Sequence, residues 1–139
     1  MTVNPELQKM ADDGVYTVVE LMNDWMIAKR NQIGSNRVPG THLLNSSIRL
    51  IDRAPRSALA MGFRVCNGYQ NGQQAVAAVK LPAQIIAGER DQMTPLRAAR
   101  GWAKEFSNGR IDVLPGCGHL MMGERPDETL DALKSFINE

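Results

Sequence analysis

Ile85-Ile86-Ala87-Gly88-Glu89-Arg90-Asp91-Gln92-Met93-Thr94-Pro95 reads as an apolar run, a Gly-led turn and a helix start. Asp91 sits in the turn. The pattern recurs downstream: Arg110-Ile111-Asp112-Val113-Leu114 is a second strand-like run, and Pro115-Gly116-Cys117-Gly118-His119 follows it. His119 therefore occupies a second strand-to-helix loop. Loops at the carboxyl ends of parallel strands are where open α/β sheets place their chemistry. An acid on one such loop and a histidine on the next are two of the three members of a nucleophile–His–acid triad.

The composition is that of a soluble globular chain: 43% of its 139 residues are hydrophobic and 22% charged. Net charge is +1 and the cations are scattered, which disfavours nucleic acid and anionic membranes as partners. No run of about 18 apolar residues exists to span a bilayer. The start, Met1-Thr2-Val3-Asn4-Pro5-Glu6, has no export pattern, so the expected compartment is the cytoplasm. Cys66 and Cys117 are too few for a disulfide framework and are not spaced as metal ligands. No cofactor and no metal are expected.

The first 80 residues read as helical. Asn4-Pro5 caps a short helix ending near Gly14. Val15, Val18, Val19, Met22, Trp25 and Met26 recur at steps of three and four, with Lys29 and Arg30 near the helix end. Residues 31–40 read as a loop. Thr41 is expected to cap a third helix carrying Leu44, Ile48 and Ile51, which Pro55 ends. A fourth helix is expected from Arg56 to Tyr69, and a fifth over Gln73 to Lys80.

At Leu81-Pro82 the character changes. Ala83 to Ala87 is apolar enough for a buried parallel strand. Thr94-Pro95 reads as the cap of a helix with the stripe Leu96, Ala99, Trp102, Ala103 and Phe106. In the second strand Ile111 and Val113 share one face, Asp112 and Leu114 the other. Pro126 opens a last helix, with Leu130, Leu133, Phe136 and Ile137 expected to face inward. Strand, helix, strand, helix is a right-handed crossover pattern.

Gly88 to Pro95, together with Pro115-Gly116-Cys117-Gly118-His119-Leu120-Met121-Met122-Gly123-Glu124-Arg125-Pro126-Asp127-Glu128, resembles the two C-terminal motifs of α/β-hydrolase-fold serine hydrolases, esterase- or lipase-like. The resemblance is close from about Leu81 onward; the earlier part looks like that family's helical cap. It implies an α/β architecture, a partial α/β-hydrolase fold, mostly helical, with two parallel strands. Residues 1–80 would be the cap-like region and residues 81–139 the strand–helix–strand–helix part of the core. It makes Asp91 the catalytic acid and His119 the base. The bland alternative is a turn carboxylate and a loop histidine.

The family's Gly-x-Ser-x-Gly nucleophile elbow occurs nowhere in this chain. Of the serines, Ser46 and Ser47 fall mid-helix, Ser57 near a helix start, and Ser35 and Ser107 in no strand–turn–helix setting. Cys66 precedes Asn67-Gly68, but Arg64 stands where the elbow needs its first glycine. Cys117 is either a mildly activated thiol or a small residue filling a tight loop. The oxyanion hole, in this family, comes from the residue after the nucleophile and from an early loop, and neither is found. Loss of one oxyanion donor alone costs about 100- to 1000-fold in rate. The expectation is a chain with acid and base that does not turn over esters alone.

Met22, Met26, Met61, Met121 and Met122 suit either core packing or the wall of a pocket for a small apolar ester-like ligand. The cap-like stripe and an open two-stranded sheet both lack covering, so a homodimer is expected. The alternative function is a non-catalytic, homo-oligomeric binding protein on the same fold fragment.

Overall fold

The computed structural model describes residues 2–33 and 37–138; Ser35 and the middle of the expected 31–40 loop lie outside them. Nine helices and two strands are described: α1 (Pro5–Asp12), α2 (Thr17–Met26), α3 (Lys29–Gln32), α4 (Leu43–Ile51), α5 (Arg56–Gly68), α6 (Gly72–Ala78), β1 (Ala83–Gly88), α7 (Leu96–Glu105), β2 (Gly109–Leu114), α8 (Met121–Glu124) and α9 (Pro126–Ile137).

Asn4 caps α1 as expected, its side chain accepting the Glu6 N–H at 2.8 Å. α1, α2 and α5 close a core of their own from Leu7, Ala11, Val18, Val19, Met22, Ala60 and Phe63. The helical part thus buries Val18 and Met22 mainly by packing on itself, with Met93 of the loop after β1 set against the same core. Val15, expected in the same stripe, stays 41% exposed just before α2. α4 begins one residue later than Thr41 would set it, with His42 Nδ1 accepting the Asn45 N–H at 3.2 Å.

The long second helix of the sequence reading is broken. α2 stops at Met26, Ile27 is extended (φ −104°, ψ 127°), and Lys29 and Arg30 open α3 instead of closing α2. The reason is tertiary. The Met26 carbonyl, which a continuing helix would use, accepts the His119 N–H at 2.6 Å. Ile27 and Ala28 are buried beneath that contact.

β1 and β2 pair in parallel, Ala83 against Gly109 through Gly88 against Leu114. Strand alternation gives the pair two faces. Gln84 and Arg110 look toward α9: Gln84 Nε2 donates to the Ala132 carbonyl at 2.9 Å, and the Arg110 guanidinium lies 5.1 Å from the Phe136 ring centroid. Gly109 looks toward α7, where a Cβ would stand 2.3 Å from the Ala103 carbonyl.

α9 corrects one expectation. Leu130 (48%), Leu133 (43%) and Ile137 (77%) are exposed, and of the four expected inward residues only Phe136 is half-buried. A sheet of two strands is too narrow for this helix to bury a full apolar stripe against it.

Candidate active site

Both strands end at one edge, and their loops interlock there. Glu89 N–H donates to the Leu114 carbonyl at 3.0 Å and Arg90 N–H to the Cys117 carbonyl at 2.7 Å. The Gly116 N–H returns to Glu89 Oε2 at 2.9 Å. The approach is so close that a Cβ on Gly88 would lie 2.0 Å from the Gly118 carbonyl oxygen. Only glycine ends β1 here.

Asp91 and His119 meet across this junction. His119 Nδ1 is 2.9 Å from Asp91 Oδ2. The carboxylate side chain is 1% exposed and the imidazole 38%. Asp91 is held by its own turn: Oδ1 accepts the Met93 and Thr94 N–H groups at 2.8 and 2.9 Å, and Oδ2 accepts the Thr94 hydroxyl at 2.6 Å. Burial pushes the Asp91 carboxyl up, but the hydrogen bonds from His119 and Thr94 outweigh it and its pKa falls below the ordinary value. The hydrogen bond to Asp91 raises the His119 pKa, against the opposing effect of burial. An ionised carboxylate only accepts, so Nδ1 carries the proton and Nε2 is the basic nitrogen of the neutral ring.

Thr94 was expected to cap α7. Pro95 takes that place, and the threonine completes the hydrogen-bond shell of the Asp91 carboxylate. Its hydroxyl also lies 3.1 Å from His119 Nδ1. Cys117 is fully buried, and burial, with the negative charge of Glu124 nearby, pushes its thiol up to about 12. It is filler for a tight loop, not an activated thiol. Ser46 and Ser47 lie within α4, and Cys66 and Ser57 within α5, all on helices as the sequence suggested.

Sequence reading did not single out Glu124 or Asn31. Glu124 is 2% exposed and Asn31 3%. The available signal was a carboxylate five residues after His119, in a stretch otherwise built of Leu, Met and Gly. Among the described residues, no group of three or more His, Cys, Asp or Glu is placed to hold a metal ion, and no helix is long and apolar enough to cross a membrane.

No protein-family model matches the chain. A stretch of 59 residues, 42% of this chain and 18% of the relative, is 39% identical to mouse (Mus musculus) monoacylglycerol lipase ABHD6. A thermophilic esterase superposes with a TM-score of 0.78 at 23% identity, over 99% of this chain and 51% of the esterase. The malate-bound thermophilic esterase from Thermogutta terrifontis superposes with a TM-score of 0.81 at 16% identity, over 99% and 52%. This chain has a partial α/β-hydrolase fold, mostly helical, with two parallel strands in one sheet. It spans about half the length of these solved structures, and the lipase match covers under a fifth of the lipase.

Proposed function

We propose that this chain carries the acid and the base of a Ser–His–Asp hydrolase acting on esters or related acyl compounds, and that alone it does not turn over. The supporting observation is the 2.9 Å contact between His119 Nδ1 and the buried Asp91 carboxylate. It fixes the tautomer and leaves Nε2 to take a proton from a serine hydroxyl. Nε2 then returns that proton to the leaving group, while Asp91 stabilises the imidazolium formed in between. The serine and the oxyanion donors belong to a Gly-x-Ser-x-Gly segment and an early loop, which these 139 residues do not contain.

Two assays test this. The chain is incubated with 4-nitrophenyl butyrate and with a fluorophosphonate probe; the expectation is no turnover above buffer and no label. Next, the chain replaces the superposing half of the thermophilic esterase. The hybrid is expected to hydrolyse the same ester and to lose that activity on His119→Ala and on Asp91→Asn. A folded hybrid whose turnover survives His119→Ala would overturn the base assignment.

A second reading is a non-catalytic chain that associates with its own copy. It is favoured by the exposed Leu130, Leu133 and Ile137 stripe of α9 beside a sheet of two strands. The two readings are compatible, since the stripe lies on α9 and the acid–base pair on the loops after β1 and β2.

A further inference from the structure

The junction holds a second buried carboxylate that does not touch the imidazole. Among the described residues, the carboxylate of Glu124, at the end of α8, accepts hydrogen bonds from N–H groups alone. Its Oε2 accepts the Ala28 N–H at 3.0 Å and the Asn31 side-chain amide at 2.7 Å. The Gly118 N–H lies 3.0 Å from each of its two oxygens. A buried carboxylate is costly unless such donors replace its water, and here three segments supply them: the α2–α3 break, α3, and the residue immediately before His119.

The consequence falls on His119. The peptide N–H before it is held by Glu124, and its own N–H is held by Met26 at 2.6 Å. Asn31 adds a third tie, donating to the Gly116 carbonyl at 3.0 Å. A Cβ at Gly118 would lie 2.5 Å from the Met26 carbonyl and 2.9 Å from Glu124 Oε1, so the loop is pressed against this carboxylate and the α2–α3 break together.

We infer that Glu124 is the positioning residue of His119, locking the histidine loop onto the α2–α3 break so that the imidazole stays within reach of Asp91. This deepens, and rests on, the acid–base reading above. The Gly118 N–H sits between the two carboxylate oxygens, 3.0 Å from each, which suits an anion at this place. A glutamine offers one acceptor oxygen and would turn an NH2 group toward an N–H. The arrangement also couples the cap-like helices to the base: a shift of α2 against α3 moves Met26, Ala28 and Asn31, and with them the backbone on both sides of His119.

The test is a mutant cycle on the whole chain, read by NMR titration of ring-labelled histidine, with the His119 signal identified by its loss in His119→Asn. In the wild-type background Asp91→Asn should lower the His119 pKa. In the Glu124→Gln background the same substitution should move it by at least about half less, because the ring no longer sits against Asp91. A purely electrostatic influence of the Glu124 charge would displace the whole curve and leave the Asp91 effect at full size; that result overturns the inference. If Glu124→Gln does not fold, Asn31→Ala removes the hydrogen bonds to Gly116 and Glu124 and keeps the charge, and a reduced Asp91 effect is again expected, with an unreduced one counting against the inference. Should Asp91→Asn fail to move His119 in the wild type, the acid–base reading falls and this inference with it.

Discussion

Thr94 and His119 converge on a single oxygen of Asp91, the hydroxyl at 2.6 Å and the ring nitrogen at 2.9 Å. The threonine has one proton and spends it on the carboxylate, since Nδ1 is itself a donor. Asp91 is thereby held as an anion by four N–H and O–H groups, with its position fixed by the turn from Asp91 to Thr94. The His119 ring inherits that rigidity through one contact.

Thr94→Val removes one of these donors and leaves the side-chain shape nearly unchanged. The Asp91 carboxyl pKa should rise toward the ordinary range, seen in its 13C titration. Stability at neutral pH should fall by about 1.5 to 3 kcal/mol, the usual worth of a hydrogen bond to a charged group. An unmoved Asp91 titration would mean that the hydroxyl does not bond the anion in solution.

The pair should also write itself into the pH dependence of stability. Asp91 has a depressed folded pKa, so its contribution is present above the unfolded carboxylate value and is lost as pH falls through the folded one. His119 has a raised folded pKa, so its contribution is full below the unfolded imidazole value and is lost as pH rises through the folded one. The stability difference between wild type and Asp91→Asn should peak near about pH 5 to 6, between the two ordinary ranges. It should shrink toward acid, and shrink partly toward alkali, where neutral His119 still donates Nδ1–H. Urea denaturation at three pH values measures it, and a difference that does not vary with pH would contradict the ion pair.

Cys117 should be chemically silent in the folded chain. With a thiol near 12 and no exposure, roughly one molecule in 10,000 carries a thiolate at pH 8. Half-buried Cys66 is the reactive one. Native titration with a disulfide reagent should give one thiol per chain, and two after denaturation. Fast reaction of both in the native state would show that the histidine loop opens.

The α9 stripe predicts association. Light scattering should give twice the chain mass at micromolar concentration, and Leu133→Lys combined with Ile137→Lys should return it to the monomer without loss of helix content. A monomer mass for the wild type over a wide concentration range would sink the dimer.

Much of this molecule is legible in its sequence. Asn4-Pro5 reads as a helix start, because the side chain caps and proline fits the first turn. Ala83–Ala87 and Ile111–Leu114 announced themselves as strands by apolar runs between turn residues, and Asp91 and His119 by their matching places after those strands. Each of these is a local signal: a cap, a period, a turn. Other features had no local signal to give. The break after Met26 exists because a carbonyl in one helix meets an N–H 93 residues along the chain. Thr94 looked like a cap because Thr-Pro usually is one; only the folded turn aims its hydroxyl at Asp91. Glu124 reads as a surface glutamate until Ala28, Asn31 and Gly118 close around it. Leu130, Leu133 and Ile137 form an inward stripe by period, yet lie exposed because the width of the sheet, and not the helix, decides what an amphipathic face can bury. The sequence by itself determined the elements and the two loops that bear Asp91 and His119. The tertiary structure decided which backbone groups meet, and so how firmly His119 is held, because hydrogen bonds between distant segments leave no period in the chain that makes them.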